Sequence, residues 1–233
     1  MTNTKMLEGL YEIAKTLDSD SQAIIDKIIK GNMEWSFGIK ETTIANMIIR
    51  LKQDIEADEA KKSGKSNQLK AIKTILKSAS KKTNEALHYA KTIDGMQYVC
   101  DGYILAKFKP IDTLPECPDN LQYLDVLSFL KKHTTHDNQI ITPDNSRLKA
   151  YIKDQKLKHK SEKNYKIFYN FGKDQPLVDA ELLSLAIDIM DGNFNCYCEN
   201  EKSALYFSDE NKNEVMLMPV RKTLKDNDIT TEL

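Results

Sequence analysis

YVCDGYIL, residues 98–105, sets β-prone residues on both sides of an Asp-Gly pair. Such a pair between two strand-forming runs signals a hairpin turn. A second pair, Asp94 and Gly95, stands seven residues earlier, after ALHYAKTID (86–94), which also reads as a strand. The earlier pair is the better turn. MQYVCDGYILAKF (96–108) then reads as one strand, and Asp101 and Gly102 as a kink in it. Glycine there permits a bulge or the close approach of another backbone.

Before these strands, residues 68–79 read as a short helix, and SGKSN (63–67) as a linker. The chain ahead of the linker reads as three helices. Leu7, Leu10, Ala14 and Leu17 recur at helical spacing, as do Ile24, Ile25, Ile28 and Ile29, with Gly31 as a stop. The third helix runs through Ile44, Met47, Ile48, Leu51 and Ile55, with Trp35 and Phe37 as core anchors in the preceding joint. Residues 1–62 are therefore expected to form a helical N-terminal appendage.

Beyond residue 109 the prolines Pro110, Pro115, Pro118 and Pro143 interrupt the pattern around a short helical run, LQYLDVLSFLKK. Residues 147–160 read as a basic helix, KIFYNFG (166–172) as a strand and DAELLSLAIDIMDG (179–192) as a helix. NCYCEN, SALYFSD and EVMLMPVR read as closing strands, and KTLKDNDITTEL as a frayed tail. Residues 63–222 thus repeat a helix followed by antiparallel strands. The predicted fold class is α+β, two helices packed on one face of antiparallel sheet, with a flexible tail over 223–233.

The 233 residues are 40% hydrophobic and 30% charged, with a net charge of −1, enough apolar content for a real core. No apolar run approaches the ~20 residues that span a bilayer, and the N-terminus lacks the apolar core of a signal peptide. A cytoplasmic protein with no membrane partner is expected. The small net charge conceals blocks. Residues 61–82 hold eight lysines and no acid, and residues 147–166 hold eight basic residues against two acids. Residues 174–233 hold 13 acids against five bases, a net of −8.

Lys70, Lys73, Lys77 and Lys81 fall within about 80° on a helical wheel, opposite Leu69, Ile72, Ile75, Leu76 and Ala79. A row of ammonium groups suits phosphate contacts, and it equally suits a solvated face. The later helix sets Glu181, Ser184, Asp188 and Asp191 outward, a face that would repel phosphate.

Cys196 and Cys198 form C-x-C rather than C-x-x-C, so these two, with Cys100 and Cys117, are expected to be buried or free thiols. His133 and His136 have the i, i+3 spacing of a metal pair without a clear third ligand, and His88 and His159 are scattered. There is neither a Gly-rich phosphate loop nor H-E-x-x-H. The expectation is no enzyme, no catalytic residues, no metal and no cofactor.

Three stretches together resemble the bacterial β-type DNA polymerase sliding clamp domain. VCDGYILAKF (99–108) is similar to the family's Thr-Asp-Gly-His-Arg-Leu strand segment. PLVDAELLSLAIDIMDG (176–192) is similar to its second helix, and EVMLMPVR (214–221) to its closing Met-Pro-x-Arg strand. The order and spacing agree over residues 68–221; residues 1–60 lie outside, and 110–160 fit poorly. Cys100, Tyr103 and Ile104 stand where the family prefers Thr, His and Arg.

The resemblance implies helices facing double-stranded DNA, contacted by Lys70, Lys73, Lys77 and Lys81. It implies a partner-peptide pocket of Gly102, Tyr103, Leu105, Met218, Pro219, Val220 and Arg221, open to peptides of replication or repair proteins. Family chains carry several such domains and close into rings, with each pocket's walls borrowed from adjacent domains. This chain has room for one, so a ring would need several copies as a homo-oligomer, and a complete pocket would need a neighbouring subunit. A phage or mobile element is a natural source for so compact a clamp. Two functions follow: a clamp-like replication accessory that touches DNA and partner peptides, or a clamp fold repurposed as a protein-interaction module without DNA binding.

Overall fold

A computed structural model describes residues 2–30, 38–134, 138–162, 165–190, 192–221, 223–225 and 227–233. Gly31, Trp35, Phe37, His136 and Asp191 lie outside the described residues.

The central hairpin overturns the kinked-strand reading. β2 (Met96–Cys100) and β3 (Ile104–Phe108) are separate antiparallel strands, with Val99 opposite Ala106 and Cys100 opposite Leu105. The Asp101 amide donates to the Ile104 carbonyl at 3.1 Å, leaving Gly102 and Tyr103 as the two central residues of the turn. Gly102 takes φ +91°, the left-handed value that primed hairpin turns give to glycine at the first central position. The Asp101 carboxylate is buried and closes the turn from inside. Its Oδ1 accepts from the Tyr103 and Ile104 amides at 2.9 and 3.1 Å, and its Oδ2 from the Ser78 hydroxyl at 2.8 Å. Asp94 and Gly95 also turn the chain, with φ +50° and +73°, between β1 (Lys91–Ile93) and β2. Both Asp-Gly pairs therefore lie at turns. The strand expected over 86–94 starts late, because Glu85–His88 forms a 3₁₀ turn capped by Asn84.

Three helices open the chain: α1 (Asn3–Lys15), α2 (Ser19–Ile29) and α3 (Ile39–Lys62). Thr2 and Asp18 cap the first two by accepting the Lys5 and Ser21 amides. The stripes predicted from spacing meet in a small core of Ala14, Ile25, Ile28, Ala45 and Ile48. The linker is a tight turn in which Gly64 takes φ +76° and the Lys65 amide reaches the Ala60 carbonyl at 2.7 Å. It leads into α4 (Ser66–Ala79).

The remaining elements are α5 (Val126–His133), β4 (Gln139–Ile140), α6 (Asn145–Lys158), β5 (Ile167–Asn170), β6 (Leu177–Asp179), α7 (Ala180–Ile189), β7 (Phe194–Tyr197), β8 (Leu205–Asp209), β9 (Glu214–Leu217) and β10 (Ile229–Thr231). Seven strands form one antiparallel sheet in the order β1-β2-β3-β9-β8-β7-β4. β10, β5 and β6 form a smaller sheet. The fold is α+β as predicted, with α4 and α7 packed together on one sheet face. Ile72, Ile75, Leu183, Ala186 and Ile189 meet Val99, Ala106, Phe207 and Val215 there. Strand alternation sends Tyr98, Cys100, Leu105, Tyr206 and Met216 to the opposite face, where Val126 and Leu130 of α5 cover them. All four cysteines are free and buried.

The tail is a second correction. β10 pairs in parallel with β5, and the Tyr169 hydroxyl donates to the Leu233 carbonyl at 3.2 Å. The Asn170 side chain donates to Glu232 at 2.7 Å. Ile229 and Thr231 are half-buried at this edge, so the segment orders where fraying is predicted. Among the described residues no helix is long and apolar enough to cross a membrane.

Candidate functional site

The hairpin tip and the exit of β9 come together because β3 and β9 are neighbours. Ile104 stands opposite Leu217 and Leu105 opposite Met216. One step on, the Met218 amide donates to the Tyr103 carbonyl at 2.9 Å. Gly102, Tyr103 and Leu105 are thus joined to Met218, Pro219, Val220 and Arg221 within one chain. Both stretches belong to one sheet of one chain, whereas the resemblance implies walls borrowed from adjacent domains. Past Met218 the chain leaves β9, and the Val220 amide bonds the Leu177 carbonyl of β6 at 2.7 Å.

Two clefts flank this seam. The first, of about 340 Å³, lies between the hairpin, the end of β9 and the start of α5. Cys100, Tyr103, Leu105, Met218, Leu124 and Phe129 line it. Its lining is nearly all apolar, and Leu124 and Phe129 remain 43% and 38% exposed. Burial pushes the Cys100 thiol up to about 11, so it stays neutral in this cleft. The second cleft, of about 900 Å³, lies on the helical side and is lined by Ser78, Lys82, Lys166, Asp179, Leu185 and Arg221. Tyr103 stands between the two, 57% exposed, with the Lys82 Nζ 4.7 Å from its ring centroid. The turn centred on Gly102 and Tyr103 is what holds this side chain at the tip.

In the second cleft Asp179 caps α7, accepting from the Glu181 and Leu182 amides at 2.9 and 3.2 Å. Burial raises its carboxyl above the ordinary range, against the opposing pull of the Leu182 amide and, less strongly, of Lys166. Arg221 is exposed and donates to the Lys202 carbonyl at 3.0 Å. Pro219 and Leu105 are buried and shape the walls rather than offering polar groups.

Lysines of α4 diverge. Lys70 and Lys77 are exposed, and Lys81 lies beyond the helix, which ends at the Ser80 cap. Lys73 turns to α3, where Glu56 receives it at 2.7 Å and also accepts the Thr113 hydroxyl. One member of the expected row is therefore engaged within the chain. The outward acids of α7 are engaged too. Lys149 and Lys156 of α6 reach Asp188 and Glu181 at 2.6 and 2.5 Å. Asn145 ties the same helix to Asp188 and to the Ser184 hydroxyl, at 2.8 and 2.9 Å.

Sequence reasoning missed Leu124 and Phe129 as lining residues. Their run reads as an amphipathic helix, but its contact with the hairpin is set by tertiary packing. His88 and His159 bond locally, to the Lys82 carbonyl and to Glu162. Among the described residues no three or more His, Cys, Asp or Glu stand close enough to hold a metal ion. Comparison with known families, with curated proteins and with solved structures finds no match to this chain.

Proposed function

We propose that this chain is a clamp-like accessory protein of DNA replication or repair. It captures a short apolar peptide of a partner protein in the cleft between the hairpin, the β9 exit and α5, and it touches DNA phosphates through α4. The observation that carries the reading is the continuous seam from Tyr103 to Met218, which places the two resembling motifs side by side over an exposed apolar cleft. Apolar lining suits Leu or Phe anchors of an extended peptide, and the aromatic ring of Tyr103 supplies contact area at small entropic cost.

The second reading, a protein-interaction module without DNA binding, is favoured by the Lys73–Glu56 pair, which engages a central lysine of the row within the chain. Two measurements test the proposal. Peptides displayed as a library should yield apolar binders that Y103A and F129A weaken about tenfold or more, the scale of an interface hot spot. Loss of neither would remove the cleft from the function. For DNA, replacing Lys70, Lys73 and Lys77 by Glu should weaken binding and flatten its salt dependence. An unchanged affinity and slope would leave the module reading in its place.

A further inference from the structure

We propose that α6, outside the region of family resemblance, is the second wall of the nucleic-acid surface. A phosphate backbone would lie in the groove between α4 and α6, over α7. The inference rests on the DNA contact proposed above and relocates it from a single row to a two-walled groove.

The groove is a real concavity of about 600 Å³, with Thr74 on one side, Ser184 and Leu185 of α7 along the floor, and α6 on the other side. Lys149, Lys153 and Lys156 fall within about 60° of one another on α6, and they span about 10 Å at 1.5 Å per residue. That length corresponds to about three base-pair rises along a duplex axis. Lys160 extends the same wall past the helix end. Lys70 and Lys77, both exposed, stand one turn before and after Thr74 and within about 60° of it, flanking the facing wall from just outside the groove.

The two acids in the groove do not cancel this charge. Asp188 and Glu181 are each held by one α6 lysine, while no ion pair engages Lys70, Lys77, Lys153 or Lys160 among the described residues. Four lysines against two acids line the groove and leave it positive although the whole chain carries −1, and Lys70 and Lys77 add two more charges beside it. The acidic face of α7, an obstacle to phosphate as long as it faced solvent, becomes the anchor that positions α6. The lysines run along a concave groove, a shape that follows a narrow polyanion more closely than a flat anionic membrane.

The test measures binding of the full chain to a fluorescent oligonucleotide, single-stranded and duplex, across a salt series. K153E/K160E and K70E/K77E should each weaken binding about tenfold or more and lower the salt slope by about one per lysine. K5E/K27E, exposed lysines on α1 and α2 with the same change of net charge, should leave both quantities near those of the parent. Circular dichroism checks that each variant is folded, and K153Q/K160Q repeats the loss without charge reversal. Weakening by K70E/K77E alone would overturn the α6 wall and leave the DNA-binding reading intact, and weakening by K153E/K160E alone would overturn the two-walled groove. An equal effect of K5E/K27E would reduce the binding to net charge and overturn the groove. A parent protein that binds neither oligonucleotide, or binds only phosphatidylserine vesicles, would overturn both readings.

Discussion

Asp101 and Gly102 do different work within one turn. Glycine supplies the positive φ, and nothing stands within 4 Å of where its Cβ would be, so Gly102→Ala meets backbone strain rather than a clash. The expected cost is about 1–2 kcal/mol, read as a fall in Tm of a few degrees in thermal unfolding. Asp101→Ala leaves two amides and the Ser78 hydroxyl without their acceptor. It should cost about 1–3 kcal/mol, with Asp101→Asn milder because one oxygen remains to accept. The buried thiols give a third prediction. At pH 8 a thiol reagent should label the native protein slowly and the denatured protein at all four cysteines. For Cys100 the fold holds its proton up to about 11, whereas the unfolded thiol releases it near 9.0. The stability this gives is whole below pH 9 and falls as pH rises toward 11. Alkaline unfolding curves would show a loss in that window, reduced in Cys100→Ala relative to the parent.

Helices α6 and α7 form a matched pair whose charges were separate problems in the sequence. A basic run and an acidic face each look like a solvated surface. Side by side they exchange two ion pairs and an asparagine clasp. Asp188 is the more enclosed acid, with its side chain 13% exposed, while Lys149 is 43% exposed. Asp188→Asn should lower stability by about 1 kcal/mol or less, the range of partly exposed pairs. It should also raise oligonucleotide affinity, because a carboxylate leaves the groove and Lys149 is released. A fall in affinity would contradict the groove's electrostatics. The tail shows the same dependence on a neighbour. ITT at 229–231 is too short to order alone, yet the open edge of β5 accepts it as a parallel strand.

At the scale of the whole molecule, the joined walls of the apolar cleft set a stoichiometry. Both come from one chain, so the proposed peptide site would be complete in a monomer. Calorimetric titration with a selected peptide should give one peptide per chain, at concentrations where sedimentation shows a monomer. A half-integral ratio, or binding only by an oligomer, would restore the shared pocket. The helical appendage is fastened to the body by Glu56, which takes Lys73 and Thr113 together.

How much was legible follows from the range of each interaction. Helices α1 to α4 and α7 were read from apolar spacing, because a stripe repeating every 3.6 residues is a property of the local chain. Turn residues were legible as well: both Asp-Gly pairs advertise a change of direction. Choosing between turn and kink at Asp101 was not, since the local bonds that close the turn are backed by Ser78, more than twenty residues away, and by the pairing of β3 with β9. The motif residues around Tyr103 and Met218 could be named from sequence, but not Leu124 and Phe129 across the cleft. By itself the sequence determined the composition of the faces, apolar, basic and acidic, and the points where the chain could reverse. Only the tertiary structure decided which faces meet: α6 on α7, Glu56 on Lys73, β10 on β5. The physical reason is that an ion pair or an edge strand gains its free energy from a partner distant in the chain, and no local pattern names that partner.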